Sequence, residues 1–285
     1  MSKEHVAMNE NRAATSENRG ELDPALRRAL EKISSTPRLL VALDFDGTLA
    51  PIVARAEDAR ALPAAAAAVR ELLELPETTT AFISGRALES LRLVASPDDR
   101  TLLIGSHGAE VFTGPGSPAL TLDQAQALAL RQATAVVEKV VAAHPGTRLE
   151  AKPAGVVLHT RTAEDPVAEA ATEAARRELS EIEGLHLTDG KRVLETSVLS
   201  SDKGQGLELL RAFTEATAVF FAGDDVTDED AIKALQPQDL GVKIGSGESG
   251  AAFRVDSPDA FARVLETLAE LRRTAQQHGT GSQLS

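Results

Sequence analysis

The sequence predicts a doubly wound α/β fold, a parallel sheet with helices on both faces, interrupted by an inserted α+β segment. The first observation is the apolar run Leu39–Leu43, which suits a strand buried on both faces. The second is that further apolar runs alternate with helical segments before and after the insertion. The third is that two predicted hairpins replace this alternation between residues 113 and 195.

Composition limits the class of protein and its partners. The chain has 285 residues, of which 42% are hydrophobic, and a formal net charge of −13. This acidic balance disfavours nucleic acid and anionic membranes as partners. There is no cysteine, and no apolar run approaches the ~20 residues that span a bilayer. We therefore expect a soluble cytoplasmic protein that binds a small molecule; a monomer is the simplest expectation, although the sequence leaves the oligomeric state open.

The first part of the predicted core covers residues 21–112. Residues 1–20 lack apolar periodicity, so we expect a disordered tail there. Asp23 as N-cap and Pro24 at the first helical position predict a helix start. A strand, a helix and two further strands follow, at Leu39–Leu43, 63–75, Thr78–Ile83 and 102–104.

The inserted domain is assigned to residues 113–195. Its predicted elements are a helix at Gln124–Ala143, a hairpin over 148–161 and a helix at 166–182. A second hairpin is expected to turn at Asp189-Gly190, a strong local hairpin signal.

The core resumes over residues 196–285. Asp202 precedes a helix with Leu207, Leu210 and Phe213 on its predicted apolar face. Two more strands are predicted at residues 218–222 and Leu240–Ile244, before a closing helix at 258–276.

Polar side chains follow several of the predicted core strands or begin a helix. Because the carboxyl ends of parallel strands share one edge, these side chains are expected to converge. Clustered carboxylates need a hard cation, and oxygen-only ligands favour Mg²⁺ over Zn²⁺. An ammonium group beside the amides of a helix start suits a phosphate. The residues concerned are Asp44, Asp46, Ser84, Lys203, Asp224 and Asp225.

Several of these residues also have plain structural interpretations. Residues 84–85 suit an ordinary strand-to-helix turn, and Lys203 suits a solvated surface lysine. His107 suits a satisfied loop histidine about as well as a substrate contact.

The acidic run after Gly223 is divided between two roles. Thr227 suits an N-cap, and the acids at 228–230 suit the first turn of a helix. We therefore assign Asp224 and Asp225 to the metal and residues 228–230 mainly to structure.

Taken in order, residues 44–48, Ser84, Lys203 and 223–225 resemble the four motifs of the haloacid-dehalogenase-like phosphatases. Further segments are similar to one branch, the trehalose-6-phosphate phosphatases, and the resemblance runs from about residue 39 to 268. These segments are 84–86, 105–110, 150–152, 159–161, 190–195, 202–204 and 223–229.

The resemblance implies a mechanism for the core residues. Asp44 is expected to be the nucleophile that forms an aspartyl-phosphate, and Asp46 the general acid and base. Mg²⁺ would be held by the Asp44 carboxylate, the Asp46 carbonyl and Asp224. Ser84 and Lys203 would hold the remaining phosphate oxygens.

The resemblance also implies that the inserted domain is a cap that closes over the sugar. The expected substrate contacts are Gly85, Arg86, His107, Glu110, Glu150, Lys152, His159, Arg161 and Glu195. The alternative for the charged cap residues is an ordinary solvated surface.

The activity implied is Mg²⁺-dependent hydrolysis of trehalose 6-phosphate to trehalose and phosphate. Alternatives are another sugar phosphate as substrate, such as sucrose phosphate or mannosylglycerate phosphate, and a non-catalytic sugar-phosphate sensor. A phosphotransferase or mutase would share the same aspartyl-phosphate.

Overall fold

The computed structural model describes residues 22–281, so the predicted tail at residues 1–20 lies outside the described residues. The strands are β1 Leu39–Leu43, β2 Thr78–Ile83, β3 Leu102–Gly105, β4 Glu110–Phe112, β5 Arg148–Lys152, β6 Gly155–His159, β7 His186–Gly190, β8 Val193–Ser197, β9 Ala218–Gly223, β10 Leu240–Ile244 and β11 Phe253–Val255. The α-helices are α1 Pro24–Ser34, α2 Pro63–Glu74, α3 Leu88–Ala95, α4 Gln124–Ala143, α5 Asp165–Leu179, α6 Lys203–Thr214, α7 Asp228–Lys233 and α8 Pro258–Gly281.

The larger sheet has seven strands in the order β11-β10-β9-β1-β2-β3-β4, and only the β3–β4 pairing is antiparallel. β1 lies at its centre, between β2 and β9. The register pairs Leu43 with Ala222, which brings the residues that follow both strands to the same edge of the sheet. The predicted α/β fold with a parallel sheet is confirmed.

Both faces of this sheet are covered, which explains why β1 is apolar at every position. Alternate residues of β1 face opposite ways, so Val41 joins a core with α1, α2 and α8. Leu40 and Ala42 join a second core that includes α6. Phe213, predicted to share the apolar face of α6, is 57% exposed instead. Within residues 22–281, no helix is both long and apolar enough to cross a bilayer.

Arg272 of α8 fastens the amino-terminal edge of this sheet. The residue is only 2% exposed, and its guanidinium donates hydrogen bonds to oxygens of two chain segments, residues 34–37 and 77–78. Its acceptors are the carbonyls of Ser34, Thr36, Pro37 and Glu77 and the hydroxyl of Thr78. The last helix is thereby tied to the start of β1 and the start of β2.

The second sheet is antiparallel, with the order β5-β6-β8-β7. One face packs on α4 and α5 around a separate apolar cluster that includes Val137, Leu158 and Leu194. We refer to α4 to β8, residues 124–197, as the inserted unit. β8 ends at Ser197, two residues after the predicted boundary at 195; the division into core and cap domains itself stays a prediction.

The second hairpin turns two residues later than predicted. Asp189 and Gly190 are the last residues of β7, and Gly190 pairs with Val193. The turn consists of Lys191 and Arg192, and Arg192 adopts the left-handed backbone conformation with φ 66°. The Asp-Gly signal therefore marked the right hairpin but the wrong pair of residues.

Candidate active site

The nucleophile candidate lies in a buried row of opposite charges. Asp44 follows β1 and is 4% exposed, and its Oδ1 accepts a hydrogen bond of 2.7 Å from Lys203 Nζ. The same ammonium donates to Asp228 Oδ1 at 2.7 Å. Burial by itself would lower the pKa of Lys203, but the charges of Asp228 and Asp44 raise it on balance. Lys203 therefore remains a cation between two carboxylates, which excludes a solvated surface position for it.

Three carboxylates gather at this point and form the candidate metal site. Oxygen atoms of Asp44, Asp224 and Asp228 all lie within 4.8 Å of one another. Burial raises the pKa of Asp224 to about 7, with further contributions from the charges of Asp228 and Asp225. Burial likewise raises the pKa of Asp44, although Lys203 opposes the shift. The single positive charge of Lys203 does not neutralise three carboxylates, so negative charge remains at this point. A donor set made only of oxygen atoms fits a hard cation such as Mg²⁺.

The positions of Asp225 and Asp228 differ from the predicted division of roles. Asp225 is exposed, and it contributes its backbone N–H to Asp228 Oδ2 at 2.9 Å. Asp228 lies in the first turn of α7, as predicted, but it is also fully buried beside Lys203, which the prediction did not include. Thr227 precedes α7 without a side-chain capping bond. The cause is the tight turn after β9, which directs Asp228 back toward the sheet edge.

Gly47 is required by the close approach of Asp224. Its φ is +80°, and a Cβ at this residue would lie 2.1 Å from Asp224 Oδ2. The backbone of the loop after β1 is thus in contact with a carboxylate of the candidate metal site.

Asp46 is held by Arg86. The Arg86 Nε donates to Asp46 Oδ2 at 2.5 Å, and Nη2 donates to Oδ1 at 2.7 Å. Ser84, 2% exposed, lies at the end of β2, and its Oγ accepts the backbone N–H of Arg86 at 3.2 Å. The segment that carries Ser84 therefore also fixes the group that orients Asp46.

The inserted unit contacts this segment through Lys152 and Glu195. Lys152 Nζ donates to the carbonyl of Gly85 at 2.9 Å and to Glu195 Oε1 at 2.5 Å. His107 Nε2 lies 3.5 Å from Glu195 Oε2, and its ring occupies the space where a Cβ at Gly85 would be. Burial by itself would raise the pKa of Glu195, but His107 and Lys152 lower it to about 2. The four residues form one polar contact between the inserted unit and the larger sheet.

The remaining predicted substrate residues occupy different surroundings. Glu110 Oε2 accepts bonds from the Ser106 hydroxyl at 2.6 Å and the Leu88 amide at 3.2 Å, so it braces the loops after β2 and β3. Glu150 pairs with His159 at 2.7 Å, and this hydrogen bond lowers the pKa of Glu150. Arg161 is exposed beyond the end of β6.

Residues 42–259 match the family described as Trehalose-phosphatase, which is more than half of the chain. This chain belongs to the trehalose-phosphatase family.

Among individual relatives, one carries the family's activity in its name and another does not. A trehalose-phosphate phosphatase of Mycobacterium avium is 35% identical over 81% of this chain and 62% of its own length. An uncharacterized glycosyl hydrolase of Mycobacterium tuberculosis is 33% identical over 88% of this chain, which spans only 20% of that protein.

Solved structures share the fold. The crystal structure of a trehalose-6-phosphate phosphatase related protein aligns with a TM-score of 0.68 and 26% identity, covering 82% of this chain and 99% of that one. A haloacid dehalogenase-like hydrolase from B. subtilis aligns with a TM-score of 0.54 at 16% identity, covering 80% of this chain and 98% of that one, which shows the fold alone.

In this member of the trehalose-phosphatase family, a cleft of about 250 Å³ lies between the two sheets. Its walls include Lys203 and Thr227 from the larger sheet and His107, Lys152 and Glu195 from the contact described above. The structure thus brings the predicted phosphate-binding lysine and two predicted cap residues to one cavity.

Two buried charged residues near the candidate metal site were not predicted from the sequence to have a role there. Asp228 was noticed only as a helix-turn acid, because its burial depends on contacts with distant parts of the chain. Lys243 lies inside the apolar strand β10 and is 2% exposed. A lysine within an otherwise apolar buried strand was the signal that could have identified it.

Proposed function

We propose that this chain is a Mg²⁺-dependent phosphatase that hydrolyses trehalose 6-phosphate to trehalose and phosphate. The observation that carries the proposal is the group of buried Asp44, Lys203 and Asp228 with half-buried Asp224 at the centre of the carboxyl edge. Membership of the trehalose-phosphatase family supports the substrate, and the polar cleft beside the group supports a sugar phosphate.

In the first step, a carboxylate oxygen of Asp44 attacks phosphorus and the bond to the sugar oxygen breaks. The hydrogen bond from Lys203 to Asp44 Oδ1 orients the carboxylate. Oδ2 does not accept this bond, so we assign the attack to Oδ2. The product of this step is an aspartyl-phosphate, which splits one difficult displacement into two. Ser84 and Lys203 would hold the other phosphate oxygens.

Asp46 supplies the proton for the leaving sugar oxygen and later accepts one from the attacking water. Its bidentate pair with Arg86 holds the carboxylate in a fixed orientation beside Asp44. In the first step this pair has to separate, and a phosphate arriving beside Arg86 would compete for the guanidinium. Arg86 is in this account a substrate contact that also controls Asp46.

Asp44, Asp224 and Asp228 would hold the Mg²⁺, together with the carbonyl of Asp46. When bound, the cation offsets the repulsion between the attacking carboxylate and the phosphate. Asp225 contributes through its backbone amide, which fixes Asp228.

The face of the inserted unit that lies toward the cleft would recognise the sugar. Glu150 and Glu195 both pair across β6 with Val157, so they lie in one row on the same face. Lys152 lies two residues along β5 on that face. A hydrogen-bonding surface of this kind suits the many hydroxyls of a disaccharide.

Phosphate release from a panel of phosphate esters tests the proposal. The panel contains trehalose 6-phosphate, sucrose 6-phosphate, mannosylglycerate phosphate and glucose 6-phosphate, each with Mg²⁺ and with EDTA. We expect the highest kcat/KM for trehalose 6-phosphate and no release in EDTA. A higher value for another sugar phosphate would reassign the substrate. Binding without release would indicate a sensor, and transfer of phosphate to an added sugar would indicate a phosphotransferase.

A further inference from the structure

Lys243 is a buried lysine beside the acidic loop, outside the cleft. It lies on β10, with a side chain that is 3% exposed, and its Nζ donates to the carbonyl of Asp225 at 3.1 Å. Glu229 Oε1 lies 3.6 Å from the same ammonium, and Glu229 Oε2 accepts the Gly250 N–H at 2.9 Å. Burying an ammonium is costly unless its hydrogen bonds and charge are used, so its contacts are informative.

The contacts of Lys243 continue to the nucleophile. The Asp225 carbonyl oxygen accepts from Lys243 Nζ, and the Asp225 N–H, on the other side of the same Cα, donates to Asp228 Oδ2 at 2.9 Å. Asp228 Oδ1 accepts from Lys203, which also donates to Asp44. An unbroken series of polar contacts therefore runs from β10 to Asp44.

We propose that Lys243 is a positioning residue for the metal site, which fixes the loop after β9 so that Asp224 and Asp228 face Asp44. The inference rests on the proposed function, because it assumes that these carboxylates bind Mg²⁺. Lys243 does not line the cleft, so it acts on the site through the loop and not through the substrate.

Lys243 could affect cation binding in two ways that have opposite signs. The direction of the change in Mg²⁺ affinity on its removal therefore distinguishes them. As a positive charge near the carboxylates, Lys243 repels a cation, so its removal would strengthen Mg²⁺ binding. As a positioning residue it holds the ligands in place, so its removal would weaken binding. Loss of a residue that orients metal ligands typically lowers metal affinity about 10- to 100-fold, and we expect a loss in this range for Lys243.

The experiment is titration calorimetry of Mg²⁺ into the metal-free full chain, without substrate. We expect Lys243→Met to weaken Mg²⁺ binding about 10- to 100-fold. The control is Lys233→Met, because Lys233 lies on α7, is 73% exposed and pairs with Asp230 only at the surface. That variant should bind Mg²⁺ as the wild type does. Unchanged or tighter binding by Lys243→Met would overturn the proposal.

A second variant covers the case in which Lys243→Met does not fold. Lys243→Gln is equally neutral but keeps an amide donor on a shorter stem, so it should bind Mg²⁺ at least about threefold more weakly than wild type and less weakly than the Met variant. Binding as tight as wild type would again overturn the proposal.

Kinetics separate positioning from a general loss of structure. With Lys243→Met we expect the Mg²⁺ concentration for half-maximal rate to rise, while kcat at saturating Mg²⁺ and KM for the phosphate ester stay within about threefold. A fall in kcat that saturating Mg²⁺ does not restore would contradict the proposal. If the wild type itself binds no Mg²⁺, the proposed function fails first, and that result is distinct from both.

Discussion

At the scale of single residues, position in the fold decides what each acid of this chain can do. Asp225 and Asp228 are three residues apart, yet the first is exposed and the second is fully buried beside Lys203. Asp44 and Asp46 follow the same strand, yet one is bonded to a lysine and the other to an arginine. The partner of each carboxylate, more than its residue type, gives it a distinct chemical role.

Replacement of Asp44 tests the nucleophile. Asp44→Asn keeps the shape of the side chain and an oxygen for Lys203, but removes the attacking carboxylate. We expect phosphate release to fall at least about 10³-fold, with an unchanged circular dichroism spectrum. Retention of a tenth of the wild-type rate would show that another group attacks phosphorus.

The raised pKa of Asp224 predicts a pH dependence of stability in the metal-free protein. Its pKa rises from 3.8 to about 7 on folding, so the folded chain binds the extra proton between these values. Stability is therefore lost as pH rises through this window, and Asp224→Asn removes that loss. In EDTA we expect the free energy of unfolding of Asp224→Asn to be higher than that of the wild type. The difference should grow from pH 4 to pH 7 and reach on the order of 3 kcal/mol.

Urea unfolding at several pH values in EDTA measures this difference, and Mg²⁺ provides the control. Added Mg²⁺ should stabilise the wild type more than Asp224→Asn, because the variant lacks one ligand. A stability difference that does not change with pH would mean that Asp224 is ionised throughout.

At the scale of elements, the inserted unit presents two unlike faces of one sheet. Leu158 and Leu194 pack toward α4 and α5, while Glu150, Lys152 and Glu195 lie on the other face. The residues on that face are not equivalent, because Lys152 also bonds to Gly85 of the larger sheet.

This difference predicts two kinds of loss when cap residues are truncated. Glu150→Ala should lower kcat/KM for trehalose 6-phosphate about 10- to 150-fold, the value of a hydrogen bond to a charged group, and barely affect a small phosphate ester. Lys152→Ala should lower kcat/KM for trehalose 6-phosphate and for the small phosphate ester, because it also removes the contact with the segment that carries Ser84. The measurement is the ratio of kcat/KM between the two substrates.

The matched control is Glu178→Ala, since Glu178 pairs with Lys139 on the helical side of the unit. It should leave the ratio unchanged. Equal losses on both substrates for Glu150→Ala would assign Glu150 to closure or stability, and no loss on either would leave it a solvated surface residue.

The sequence predicted the long or strongly patterned elements and missed the short ones. β1, β2, α4 and β10 were located to the residue, because apolar runs and helical periodicity mark them. β4 and β11 have three residues each, too few to show any alternation, and their pairing depends on neighbouring strands.

The same limit applies to the site. Strand ends identified Asp44, Ser84 and Asp224, because parallel strands share an edge. The burial of Asp228 and the contacts of Lys243 arise only when separate segments pack together, so local pattern could not reveal them.

At the scale of the whole molecule, we expect replacement of Arg272 to lower the free energy of unfolding. Arg272→Met would remove the guanidinium that donates to four carbonyl oxygens and one hydroxyl, and we expect a loss of about 3–5 kcal/mol in the free energy of unfolding. Arg273→Met is the control, because Arg273 is 46% exposed and pairs with Glu71 at the surface, where such pairs contribute about 0–1 kcal/mol. Urea denaturation measures both, and similar losses would contradict the role given to Arg272.

The central position of β1 also has a consequence for synthesis on the ribosome. β1 lies between β2 and β9, so one of its two neighbours is translated about 180 residues after it. At roughly 5–20 residues per second, the nascent strand waits about 10–40 s for that partner, and longer for Arg272. The inserted unit has all four of its strands before β9 emerges, so it can pair them during the wait. The candidate metal site is therefore completed only after β9 and the loop that follows it have been synthesised, which makes β1 and β2 the strands most in need of protection from aggregation until then.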